Sequence, residues 1–257
     1  MTFNLSPWSF FLVFGRTSAL VAFFPMLSEI QTPRTVRAGL ALWISLAILP
    51  MVPVSSWQPA SVPDLAFAVG LEVLVGALFA LTIRMIFSAI TLGAQWIDAE
   101  IGFQVAQQIS PLSGSPNSPF GTMAVAASAL SFFAFGYFEN VLLLWARMFQ
   151  SLPAPILTLR PEIGDVLLRL SSRIFVGALE IAIPIIILMF LVTIAIALMA
   201  RVIQGVNIFV ESYNIKLLIG MGALLVLAPL ILALMRKQLD EIPGAWMALA
   251  RAMKTTP

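Results

Sequence analysis

From Phe175 to Ala200 the chain carries a single charge, Glu180. A membrane-spanning helix needs about 20 mostly apolar residues, and this run exceeds that. Five more stretches read the same way: Pro7 to Leu27, Ala38 to Val54, Leu65 to Ile97, Met123 to Phe149 and Ile215 to Met235. Backbone groups in lipid must be satisfied within the chain, so only helices or a closed barrel can span. Barrel strands alternate apolar and polar residues over about ten positions; these runs are long and continuous. The expectation is an all-α integral membrane protein with about six hydrophobic helical segments. Composition agrees: 60% of residues are hydrophobic and 10% charged, against roughly 25% charged in soluble domains. The first run has no basic residue before Arg16 and no small-residue cleavage site behind it, so it is expected to remain in the mature chain. The third run is too long for one perpendicular span and should be tilted, broken or extended beyond the bilayer.

Several chemistries are excluded early. The chain has no Cys and no His, which removes thiol chemistry, the commonest general base and the commonest metal ligand. No phosphate-binding loop, dinucleotide fingerprint or metal spacing is present. No catalytic centre, cofactor or metal is expected. The net charge of +2 is too small to suggest nucleic-acid binding. Counting Lys and Arg in the loops of a six-span chain favours cytoplasmic termini by a small margin.

Polar groups inside apolar segments carry the remaining information. Arg16, Glu72, Arg84, Glu139, Arg147 and Glu180 lie within or beside predicted spans. A charge at the bilayer centre costs at least about 2.5–3.5 kcal/mol, so each must face a partner, a cavity or the interface. Structural pairing between helices or subunits is favoured over an ion pathway, because the acids are scattered. Ser88, Thr91, Gln95 and Asp98 fall within roughly 80° of helical arc and form a polar stripe. Hydrogen bonding to neighbouring helices is its commoner explanation; lining water is the other. Ala89 and Gly93 beside it permit close helix approach, as could Gly70 with Gly76 and Gly220 with Gly222. Ala106 to Thr122 holds three prolines, two glycines, four serines and no charge, a loop by its turn chemistry. Asp165, Arg169 and Arg173 share one helix face. At the end of the chain, Pro243 should start a short helix with Trp246, Leu249, Ala250 and Met253 on one side. Such a helix fits a membrane interface; a solvated tail is the alternative.

The order of these features resembles the FliR family of flagellar export proteins and its relatives in injectisome type III secretion. The resemblance runs through Arg16, Pro25, Pro33, Arg34 and Arg37, then Glu72 and Gly76 in LEVLVGA. It continues with Gly93, Asp98 and Gly102 in GAQWIDAEIGFQ, Pro111 and Ser118, and Phe149, Ser151 and Pro153. It ends with Ala178, Leu179, Ala182 and Pro184, and then Arg201, Asn207, Phe209, Lys216 and Gly220. The chain departs from the family pattern at Gln204 and Gly205, at Ser212, Tyr213 and Asn214, and at Ser110.

The resemblance implies a membrane subunit of a type III export gate, most simply flagellar, in the bacterial inner membrane and the export apparatus of the basal body. Its expected partners are FliP-like and FliQ-like membrane subunits, an FlhB-like protein, unfolded export substrates and the lipid bilayer. It implies a FliP-like part over 1–170, a FliQ-like helix hairpin over 171–236 and an amphipathic tail over 237–257. It also implies that the loop 106–122 plugs the pore, through Gln107, Gln108, Ser110, Pro111, Ser113, Pro116, Ser118 and Phe120. Arg16, Glu72, Arg84, Glu139 and Glu180 become buried or inter-subunit charges. Arg201, Gln204, Asn207, Glu211 and Lys216 form a polar hairpin. A small-molecule or ion transporter is the competing reading; it predicts internal repeats and interrupted helices near the midplane.

Overall fold

The structure is a computed structural model that describes residues 7–29, 32–53, 57–103, 119–157, 160–202 and 208–254. All its described elements are helical. In order they are α1 (Pro7–Phe23), α2 (Pro25–Glu29), α3 (Arg34–Ile48) with a 3-10 turn at Leu49–Met51, and α4 (Val62–Ile101). Then follow α5 (Pro119–Ala134), α6 (Tyr137–Ser151), α7 (Glu162–Val202), α8 (Ile208–Leu239) and α9 (Ile242–Met253).

The third apolar run is one unbroken helix of 40 residues. At 1.5 Å per residue it is about 60 Å long, twice the roughly 30 Å hydrocarbon core, so it extends beyond any perpendicular span. Helix α7 is as long, at 41 residues, and continues through Pro184. The fourth apolar run behaves differently. It breaks at Phe135 and Gly136 into α5 and α6, which meet at 67°. Gly136 has φ +73°, a left-handed conformation that glycine adopts without strain. Among the described residues four helical stretches are long and apolar enough to cross a membrane, five if the bent pair counts as one span; α1, at 17 residues, is apolar but shorter. Large apolar side chains stand exposed along α7 and α8, among them Phe190, Leu218, Leu225 and Val226. Exposed apolar surface on that scale calls for lipid or neighbouring subunits rather than water.

The chain divides into two packing units. The first holds residues 1–86, 132–171 and 241–257; the second holds 87–131 and 172–240. The core of the first is aromatic. Phe79 of α4, Trp145 of α6 and Trp246 of α9 meet edge-on, with ring centres 5.2–5.6 Å apart, a favoured aromatic geometry. Both indoles are fully buried, so their N–H groups need acceptors. Trp145 donates to the Thr17 hydroxyl at 3.2 Å, and Trp246 donates to the Phe79 carbonyl at 3.2 Å. Trp246, Leu249, Ala250 and Met253 therefore share one side of α9 as expected, but that side is buried within the unit.

The second unit is held by small residues. A Cβ at Gly93 would come within 2.8 Å of the Ala178 carbonyl oxygen, and one at Gly220 within 2.7 Å of Ile101. These glycines let α7 and α8 approach α4 more closely than any larger residue would allow. Gly70 and Gly222 face open space, so in the Gly70/Gly76 and Gly220/Gly222 pairs only Gly76 and Gly220 make a close approach.

Candidate functional site

Two buried clusters draw on residues singled out in the sequence. The first is built on Asp98, which is fully buried near the C-terminal end of α4. A carboxylate there opposes the dipole of its own helix. The compensation comes from α5. Pro119 opens that helix and has no N–H to offer, so the first free donors are those of Phe120 and Gly121. Phe120 N–H donates to Asp98 Oδ1 at 3.3 Å, and Gly121 N–H donates to Oδ2 at 3.1 Å. One side chain thus caps a helix that begins more than twenty residues later in the chain, and its charge faces the positive end of that helix. The turn that ends α4 is fixed as well. Gly102 has φ +98°, and its N–H donates to the Asp98 carbonyl at 3.0 Å, the single-bond left-handed helix stop. A Cβ on Gly102 would come within 3.2 Å of the Tyr213 ring. The described residues that flank the Pro/Ser segment are thus held, the end of α4 by the Gly102 stop and the start of α5 by Asp98.

The segment itself lies outside the described residues, including Gln107, Gln108, Ser110, Pro111, Ser113, Pro116 and Ser118. Of the predicted plug residues only Phe120 is described, and it is half-buried. The rest of the polar stripe does not join Asp98 in burial. Ser88 and Gln95 are exposed, and Thr91 is half-buried, with its hydroxyl donating to the Phe87 carbonyl at 3.0 Å in its own helix.

The second cluster is a buried ion pair. Arg16 of α1 and Glu72 of α4 are both fully buried, and Arg16 Nε donates to Glu72 Oε2. The pair then reaches the loop after α6. Arg16 Nη1 donates to the Leu152 carbonyl at 2.9 Å, and Glu72 Oε1 accepts from Ile156 N–H at 2.8 Å. The guanidinium also lies 4.6 Å from the centre of the Phe149 ring, within cation–π range. Gly76, one turn on from Glu72, lies directly against the Arg16 backbone. Residues as far apart as Arg16 and Ile156 thus form one joint among α1, α4 and the loop at 152–156.

The remaining predicted charges scatter. Arg84, Glu139 and Arg147 are exposed. Glu180 Oε2 accepts from Lys237 Nζ at 2.9 Å and from Gln238 Nε2 at 3.2 Å, which ties α7 to α8. Arg201 is exposed and Lys216 half-buried, while Gln204, Asn207 and the Glu211 side chain lie outside the described residues. Among the described residues no group of three or more acids could hold a metal ion. Sequence reasoning missed Thr17, Gly177 and Gln238. An added Cβ at Gly177 would meet the Gln238 amide and the Ala89 side chain. Only the Gly177-Ala178 pair of small residues signalled that contact in advance.

Comparison with known proteins covers nearly the whole chain. It is similar to the flagellar biosynthetic protein FliR of Escherichia coli, 27% identical over 227 residues, spanning 88% of this chain and 87% of that one. It is similar to FliR of Bacillus subtilis, 25% identical over 235 residues and 89% of each chain. It is also similar to the Yop proteins translocation protein T of Yersinia pestis, 25% identical over 211 residues and 80% of each. The model of the family described as "Bacterial export proteins, family 1" matches residues 8–242, and the chain belongs to that family.

Proposed function

We infer that this chain is a membrane subunit of a type III protein-export gate, part of the pore through which unfolded substrates leave the cytoplasm. Matches to export proteins along most of the chain favour this over the transporter alternative. Flagellar export is preferred over an injectisome because the FliR proteins of Escherichia coli and Bacillus subtilis match more of the chain than the Yersinia protein does. The inner membrane and the flagellar basal body are its place of action. FliP-like, FliQ-like and FlhB-like proteins are its partners, and apolar faces such as that of α8 suit such neighbours. Residues 1–170 act as the FliP-like part and 171–236 as the FliQ-like hairpin. The chain works without a catalytic centre or cofactor, in keeping with its lack of His and Cys.

The observation that carries the mechanism is the Asp98 anchor. An uncharged segment of Pro, Ser and Gly can obstruct a pore without holding a passing polypeptide tightly. The Asp98 cap holds the start of α5 and the Gly102 stop ends α4, which supports reading the segment between them as the plug. Deleting Gln107 to Ser118 tests this: the complex should still assemble, and the membrane should become permeable to ions. Unchanged permeability with normal assembly would remove the plug assignment.

A further inference from the structure

Helices α1 and α3 pack against each other, and a groove of roughly 430 Å³ lies along them. Its two ends differ chemically. At the turn end stand Arg34 and Arg37, in the first turns of α3. Toward the other end the walls are apolar, with Phe14, Ala41 and Val73. From Phe23 to Phe14 is about 13 Å along α1 at 1.5 Å per residue. A second apolar trough of roughly 410 Å³, along Leu74, Leu78 and Leu81, shares Phe23 as a wall.

Among the described residues, no carboxylate lines the groove at its cationic end. Helix α3 begins at Pro33 with no side-chain cap and no acid in its first turn, so its own dipole adds positive character there. Arg37 Nη1 makes only a long 3.5 Å bond to the Ala22 carbonyl. Arg37 Nε is buried and has no partner among the described residues. A buried guanidinium donor without an acceptor is costly, and planar guanidinium groups match phosphate oxygens well.

The geometry points to a site for an anionic phospholipid, with the phosphodiester on Arg34 and Arg37 and the acyl chains in the two apolar troughs beside Phe23. A free anion would satisfy the arginines but leave the troughs unfilled. An apolar ligand would fill the troughs but leave Arg37 Nε unpaired. An amphiphile with a negative head meets both demands. The site does not depend on the export-gate reading, because it needs only a membrane around α1 and α3.

The test uses the full chain purified in mild detergent from its native membrane, with whatever subunits come with it. After delipidation it is titrated with phosphatidylglycerol, phosphatidylcholine or inorganic phosphate, and binding is read by mass spectrometry of the intact particle. The expected result is a saturable phosphatidylglycerol adduct, at least tenfold favoured over phosphatidylcholine. It should weaken at least tenfold in an R34Q/R37Q double variant. A second variant, A38F, fills the groove and keeps both arginines; it should lose the lipid while the particle mass stays unchanged. Equal binding of both lipids, or unchanged phosphatidylglycerol binding in either variant, would overturn the proposal. Inorganic phosphate competing as strongly as the lipid would mark a simple anion site and overturn it too.

Discussion

Replacing Asp98 with Ala removes both acceptors that cap α5. Hydrogen bonds to a charged group are worth about 1.5–3 kcal/mol each. The two bonds share one carboxylate, so their sum is an upper bound. Relief of the unfavourable charge at the end of α4 returns about 0.3–1 kcal/mol. A net loss of about 3 kcal/mol is the central expectation, a factor of roughly 150 in the equilibrium between anchored and released α5. Hydrogen–deuterium exchange on the purified complex reads this directly. Amides at Phe120 and Gly121 should exchange about two orders of magnitude faster in the variant, while amides in the middle of α4 stay unchanged. D98N keeps the shape and one carbonyl acceptor, and should fall between the two. The same D98A variant should leak ions with the complex intact. If exchange at Phe120 and Gly121 does not change in D98A, the carboxylate does not hold the start of α5.

Two further predictions concern stability. Glu72→Ala leaves Arg16 buried without its counter-charge, and breaking a buried pair from one side costs about 3–5 kcal/mol; thermal unfolding in detergent should register a large loss, and a wild-type melting curve would refute the pairing. Gly76→Ala sets a methyl against the Arg16 backbone and should cost about 1–3 kcal/mol. By contrast, Gly70→Ala, where the space is open, should be neutral or stabilising by about 0.5–1 kcal/mol through helix propensity; equal effects at both positions would contradict the packing.

What the sequence makes legible follows from the range of each signal. Apolar runs are local, so the long helices α4, α7 and α8 can be read directly. The break between α5 and α6 is hidden because Phe135 and Gly136 are no more polar than their neighbours; the turn depends on the backbone freedom of one glycine. The apolar side of α9 is readable from its spacing, but its partner is not. A Trp on one side of a short helix looks the same whether it meets lipid or a second Trp. Arg16 and Glu72 stand out singly as charges in apolar segments, and only the fold brings residues 56 positions apart together. Asp98 is visible as part of a stripe, yet its hydrogen bonds run to backbone amides, which leave no mark in side-chain patterns.

The central claim is that the chain works as one subunit of a larger export particle. The most direct measurement is a mild-detergent pull-down of the tagged chain from its native membrane, with the mass of the intact complex determined. The account predicts one large particle that contains FliP-like and FliQ-like proteins. Recovery as a monomer or small homo-oligomer, with those proteins present in the membrane but absent from the particle, would contradict it.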